Sequence, residues 1–230
     1  MKLILFDIDG TLLSSDGAGR RAMEHALTER FGTPGAPGYR YDGKTDRQIV
    51  REQMRAAGFT DDDIDDALPQ VEARYLEQLQ QELASPAIRA RAYVGVFELL
   101  EALRPLHDRV VGLLTGNVAM GADLKLRAVG IDPSQFRVTA FGSDHEVRSE
   151  LPGIAQARAR DALGLEFDGD RLIIVGDTPS DIACGRPVGA RAIAVATGQY
   201  SVDELASHAP AFVFPDLADT AAVLAAIADA

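Results

Sequence analysis

The apolar residues of this chain gather into short runs separated by polar punctuation. Runs rich in Leu, Ile, Val and Phe lie at Lys2–Phe6, Arg109–Leu114, Arg137–Phe141, Arg171–Val175 and Arg191–Val195, with a weaker one at Ala211–Phe214. Apolar runs of this length, rich in β-branched residues, predict buried strands. Between most of them the apolar positions recur at helical spacing. Helices are predicted over Val96–Leu103, Ala122–Val129, Gly153–Leu163 and Asp181–Val188, and an Ala-rich one over Asp219–Ala228. Strands that alternate with helices imply a mostly parallel sheet with right-handed crossovers.

One segment departs from the alternation. From Ser15 to Val94 the pattern predicts helices and no strand, at Arg20–Phe31, Asp46–Ala57, Asp61–Leu68 and Val71–Leu83. The stretch GTPGAPG at 32–38 reads as a loop, because Gly and Pro interrupt both regular patterns. The expectation is an α/β core of residues 1–14 and 95–230, with a small all-helical domain, residues 15–94, inserted after the first strand. The acidic run DDDIDD at 61–66 lacks the Gly and terminal Glu of a calcium loop and reads as a solvated helix N-terminus.

Composition narrows the partners. The chain has 230 residues and a net charge of −12, with 23 Lys+Arg against 35 Asp+Glu. That balance argues against a nucleic-acid partner, although a local pocket can still hold a small anion. The single cysteine, Cys184, forms no intramolecular disulfide, which suits a reducing compartment. No run approaches the roughly 18 apolar residues of a membrane span, and the apolar start breaks at Asp7. A cytoplasmic protein, monomer or homodimer, is expected.

Ligands of open α/β sheets bind at the carboxyl ends of the strands. The first predicted strand ends in Asp7 and Asp9, within LFDIDGTLL. The second ends in Thr115-Gly116-Asn117. The fourth runs into GDTPSD, with Asp177 and Asp181, and the loop after the third carries Arg148. Each residue alone has an ordinary explanation as a helix cap, a turn or a surface ion pair. Together they put acids, a hydroxyl and a cation at one edge. Two carboxylates about 4 Å apart repel by roughly 4 kcal/mol at an effective dielectric of ~20. Several in one pocket call for a cation or a proton. Oxygen ligands favour a hard divalent ion, and no Cys or His cluster suggests zinc.

DIDGTLL, LLTGN, a lone basic residue and GDTPSD, in that order, resemble the four motifs of the haloacid dehalogenase-like hydrolases. The helical insert sits where the helical cap of that family sits. The resemblance implies a Rossmann-like parallel core, a Mg²⁺-dependent phosphatase and a small phosphorylated metabolite as substrate, as in the phosphoglycolate phosphatases. It implies Asp7 as the nucleophile that becomes an aspartyl phosphate, and Asp9 as general acid and base whose backbone carbonyl also binds the metal. Thr115 and the Gly116 amide would bind phosphate. Asp7, Asp177 and Asp181 would complete the metal site, Asp181 directly or through water. Gly10 would leave the turn room near the ligand.

The third motif departs from the pattern. The family more often has a lysine there, commonly before a proline, and here EVRSELP offers Arg148; no lysine follows Lys125. A guanidinium can bridge phosphate and carboxylate, so the exchange is chemically sound. In the insert, Arg20, Lys44, Thr45 and Asp46 are candidates for contact with the leaving group, Thr45 or Asp46 also as a helix N-cap. A β-phosphoglucomutase-like sugar phosphomutase would use the same aspartates. A dehalogenase lacks the second aspartate, and a phosphonate hydrolase with a Schiff-base lysine, for which Lys44 is the one lysine of the insert, is likewise disfavoured by Asp9. A phosphoaccepting signalling receiver is shorter, lacks the insert and carries its acceptor after a later strand.

Overall fold

In the computed structural model, which describes residues 1–230, the chain runs in order as β1 (Lys2–Phe6), β2 (Leu13–Ser14), α1 (Ala18–Phe31), α2 (Asp46–Ala56), α3 (Asp61–Ala84), β3 (Arg91–Ala92), α4 (Val96–Leu103) and β4 (Arg109–Thr115). It continues as α5 (Ala119–Ala128), β5 (Val138–Phe141), α6 (Leu151–Leu163), β6 (Leu172–Gly176), α7 (Pro179–Cys184), β7 (Arg191–Val195), α8 (Val202–Ala206), β8 (Phe212–Phe214) and α9 (Thr220–Asp229). Six strands form one parallel sheet in the order β5-β4-β1-β6-β7-β8. This is the parallel α/β core that the alternating pattern predicts, in the Rossmann-like form that the resemblance implies.

The centre of the sheet is dry on both faces, which explains its unbroken apolar runs. Along β1, Ile4 and Phe6 point into one apolar cluster with α4 and α9, while Leu3 and Leu5 point into another with α6. All four are fully buried. The chain leaves β1 in both directions across the sheet, so the carboxyl ends of β4, β1 and β6 frame the crevice where such folds bind ligands. Register fixes the alignment: Phe6 lies opposite Leu113 on one side and Val175 on the other.

Helices α1, α2 and α3 share a separate apolar cluster, with Val118 of the sheet layer at its margin. Two expectations for this segment need correction. A short antiparallel ladder, Leu13–Ser14 with Arg91–Ala92, joins the two chain crossings into and out of it. Two residues a strand are too few for any period to be visible. The predicted helices 61–68 and 71–83 are one helix, which passes through Pro69. Proline in a helix interior costs about 3 kcal/mol. Ile64, Ala67, Val71, Tyr75 and Leu79 are all buried along one face, and that packing outweighs the break. Asp61, Asp62 and Asp63 do form the helix N-terminus, behind a Thr60–Asp63 capping box. Elsewhere the sequence pattern misses α8, ends α7 four residues late and starts α5 three residues late. No helix is long and apolar enough to cross a membrane.

Candidate active site

The site forms where three strands stop. Asp7 follows β1 directly, and its amide donates to Val175 O at 2.9 Å, so it is still pinned to the sheet. The chain then turns tightly, with the amides of Leu12 and Leu13 donating to Ile8 O. Gly10 makes the turn at φ 85, and a Cβ there would stand 2.2 Å from Asp177 Oδ2. Both the backbone angle and the space demand glycine. Thr115 ends β4 and is fully buried. Asp177 follows β6, and Thr178 then caps α7 in a reciprocal box with Asp181. Arg148 sits on a single helical turn ahead of α6, 6% exposed.

Carboxylate oxygens of Asp7, Asp177 and Asp181 lie within 4.8 Å of one another, all buried. One guanidinium faces them. Arg148 Nη2 is 2.5 Å from Asp181 Oδ1 and 3.3 Å from Asp7 Oδ1. Burial works against the charge on Arg148, yet Asp181 and Asp7 hold it firmly protonated. Its Nε has no partner, a donor aimed at nothing in the protein. Burial raises Asp7 to about 6, with Arg148 opposing and Asp181 assisting. Asp177 is pushed well up by burial and by the charges of Asp181 and Asp7, and the Thr11 hydroxyl at 3.0 Å offsets this only in part.

Three acids against one cation leave an excess of two negative charges in a dry pocket. A divalent cation with oxygen ligands fits that deficit. The donors are unequal. Asp181 Oδ1 accepts from Arg148, and its Oδ2 accepts from the amide and hydroxyl of Thr178. Asp7 and Asp177 keep oxygens open. Gly10 and Gly198 make room around Asp177: a Cβ on Gly198 would stand 1.8 Å from Asp177 Oδ2.

Asp9 points elsewhere. Its Oδ2 accepts from Lys125 Nζ at 2.6 Å and from Asn117 Nδ2 at 2.8 Å. Its Oδ1 has only a long contact from Ser15 Oγ, 3.4 Å. Lys125 also donates to Asn117 Oδ1 at 2.6 Å and is 4% exposed. Burial disfavours its charge, but Asp9, Tyr75 and Asp46 raise it well above the ordinary lysine value. The sequence pattern gives Lys125 no place in the site, and gives Asn117 a place at the strand end but no role. A signal existed: Lys125 lies on the buried face of α5 beside Gly121, Ala122 and Leu126, where a lysine needs a partner.

The helical layer closes over this edge. Thr45 caps α2, accepting from Gln48 N at 3.1 Å and donating to Glu146 O at 2.7 Å. Its hydroxyl is fully used and lies off the cavity, so the structure does not bring it to the leaving group. Asp46 N donates to Gly116 O, and Asp46 Oδ2 accepts from Val118 N, both at 2.8 Å. Burial raises Asp46 to about 6, against the pull of Lys125. Glycines permit the approach: a Cβ on Gly116 would meet Lys44 O at 2.0 Å, and one on Gly43 would meet Ser180 Cβ at 2.6 Å. The cavity enclosed is about 320 Å³, and Asp7, Asp9, Arg20, Lys44, Lys125 and Arg148 are among its lining.

The model of the haloacid dehalogenase-like hydrolases matches residues 4–186. The chain is 31% identical to a phosphoglycolate phosphatase of Rhodospirillum rubrum, over 94% of this chain and 88% of the relative. It is 28% identical to an N-acetylmuramic acid 6-phosphate phosphatase of Pseudomonas aeruginosa, over 94% of this chain and 91% of the relative. The crystal structure of a hydrolase from Pseudomonas syringae superposes with a TM-score of 0.73, covering 99% of both chains at 23% identity. The chain is a member of the haloacid dehalogenase-like hydrolases.

Proposed function

We propose that this hydrolase is a phosphatase that cleaves a small phosphate monoester through an aspartyl phosphate on Asp7. The observation that carries the reading is the split between the two aspartates of the first motif. Asp7 faces Arg148 and Asp177, whereas Asp9 turns to Lys125 and Asn117. One carboxylate is placed among groups that gather a phosphoryl anion; the other is held apart, free to handle the proton. The names of the curated relatives support a phosphate ester as substrate.

In this reading the open oxygen of Asp7 attacks phosphorus and the P–O bond to the leaving group breaks. Arg148, Thr115 and the Gly116 amide hold the transferring oxygens. Asp9 Oδ1, the less engaged oxygen, protonates the leaving oxygen and then takes a proton from the water that cleaves the aspartyl phosphate. Asp7, Asp177 and the Asp9 carbonyl would hold Mg²⁺, which when bound offsets charge on phosphoryl oxygens. Asp181 serves this set by anchoring Arg148 and the first turn of α7. Residues 15–94 act as a cap that keeps water out, with Arg20, Lys44 and Asp46 turned to the leaving-group side.

The test is phosphate release from a panel of monoesters, with Mg²⁺ or with a chelator, and with Asp7→Asn as control. Metal-dependent release that Asp7→Asn abolishes, with an acid-stable, hydroxylamine-labile phosphoenzyme on Asp7, is expected. Release that survives Asp7→Asn would defeat the mechanism.

A further inference from the structure

The phosphate end of the cavity is set by Arg148 and the buried acids. The other end decides which alcohol leaves, and its charges are already spoken for. Besides Arg148, three cations line the cavity: Arg20, Lys44 and Lys125. Lys44 Nζ is 2.5 Å from Glu52 Oε2 and 2.8 Å from the Tyr39 hydroxyl, and lies 4.2 Å over the Tyr39 ring. Burial opposes the Glu52 charge, but hydrogen bonds from Lys44, Tyr39 and Gln48 bring it down to about 2, so the pair stays charged and matched. Lys125 is matched by Asp9 at 2.6 Å. Arg20 reaches Glu24 at 3.2 Å and Tyr39 O at 2.5 Å, with its guanidinium 4.2 Å over the Tyr41 ring. Each cation of this half already faces a carboxylate.

The other polar side chains here are mostly acids and hydroxyls, with the amide of Gln199 beside them. Asp46 also lines the cavity and accepts only from the Val118 amide, and Asp42 lines it while paired with Arg40 at 3.1 Å. Tyr41 lines it too, and its hydroxyl is buried without a hydrogen-bond partner. An unpaired buried hydroxyl is unfavourable and is relieved by a ligand that can hydrogen-bond to it. Carboxylates and a free hydroxyl suit the hydroxyls of a neutral alcohol and repel a carboxylate.

We infer that the enzyme takes the phosphate monoester of a neutral, hydroxyl-bearing alcohol, a polyol or sugar, and discriminates against esters whose alcohol carries a carboxylate. This rests on the phosphatase reading above. It separates the chain from its phosphoglycolate phosphatase relative, whose named substrate is carboxylated.

A matched pair of esters tests it. 2-Hydroxyethyl phosphate and 2-phosphoglycolate differ only in CH2OH against a carboxylate. The expected kcat/KM ratio favours the neutral ester at least tenfold, and glycerol 3-phosphate over 3-phosphoglycerate likewise. Glu52→Gln keeps the shape and leaves Lys44 uncompensated, so the ratio should move several-fold toward the carboxylate. Equal or better turnover of 2-phosphoglycolate by the wild-type enzyme overturns the inference, as does a ratio that Glu52→Gln leaves unmoved. p-Nitrophenyl phosphate is assayed alongside as an indifferent ester. If it too is untouched, the phosphatase reading itself has failed and the inference falls with it.

Discussion

Replacing Lys125 by methionine isolates the role of the buried ammonium. Methionine matches the lysine stem in length, so α5 keeps its packing against Tyr75 of α3. What is lost is charge. Asp9 Oδ2 and Asn117 Oδ1 lose donors, each at 2.6 Å. Breaking a buried ion pair costs about 3–5 kcal/mol. Here the Asp9 side chain is 40% exposed, so water can replace part of the loss. A destabilisation of about 1–3 kcal/mol is the fitting range for one severed charge-assisted bond and one orphaned amide oxygen.

The kinetic effect should be more selective than the thermal one. With Lys125 gone, Asp9 is held by Asn117 alone and Oδ1 is no longer fixed toward the leaving oxygen. General acid catalysis is worth about 10²–10⁴-fold, and loss of orientation should forfeit about 10²-fold of the phosphorylation step for an alkyl ester. p-Nitrophenolate leaves without needing a proton. Rapid-mixing experiments should therefore find the nitrophenolate burst rate within a few-fold of wild type, followed by a slow steady state, because in the proposed mechanism cleavage of the aspartyl phosphate still needs Asp9 as base. Thermal melts by circular dichroism give the stability loss separately. A burst rate that falls as far as the alkyl rate would refute the positioning argument and leave Lys125 a packing residue.

Other outcomes can be checked alongside. Asp7 is raised to about 6 by burial, and Asp177 also rises, so the folded metal-free state binds protons more tightly than the unfolded one. For a raised acid the sign is a penalty at neutral pH that fades as pH falls from about 6 toward 4. Mg²⁺ at 100 times its dissociation constant adds ~2.7 kcal/mol, which is about 5–11 °C of Tm for a chain this size. That shift should be present at pH 7.5 and shrink markedly at pH 5, and equal shifts at both would contradict the site. Gly198→Ala puts a methyl 1.8 Å from Asp177 Oδ2 and should abolish metal-dependent stabilisation while the circular dichroism spectrum is retained. Arg148→Lys exchanges the planar guanidinium, whose Nη2 meets both Asp7 and Asp181, for a shorter point charge, and kcat should drop at least tenfold, with a further drop in Arg148→Ala. Thr45→Val removes both the cap of α2 and the bond to Glu146 O. About 1–2 kcal/mol of stability should be lost, read by urea titration, with no change in the preference among esters.

The sheet and its acids were legible because two signals are local. Buried parallel strands need continuous apolar runs, so β1, β4, β6 and β7 stand out in the sequence, and ligand-bearing strand ends need polar residues directly after those runs. Asp7, Thr115 and Asp177 follow from that rule alone, and Arg148 from the order of the motifs. The helix boundary at Pro69 was not legible, because local propensity breaks there and the packing of α3 on α1 overrides it. The β2–β3 ladder was hidden for the opposite reason: it is a long-range pairing with almost no local pattern.

By itself, then, the sequence determined the α/β layering and the acids that stand at the strand ends, since each follows from periodicity or from what a strand end can carry. Tertiary structure alone decided how those charges are shared. Lys125 is ten residues beyond Thr115 and reaches Asp9 only because the fold brings α5 beside the turn that follows β1. Asp181 bonds Arg148 across 33 residues, and Lys44 is matched by Glu52 in the second turn of α2. Spacing along the chain sets which face a residue occupies, but ion pairing depends on angstrom distances between elements, and those are fixed only when the layers pack.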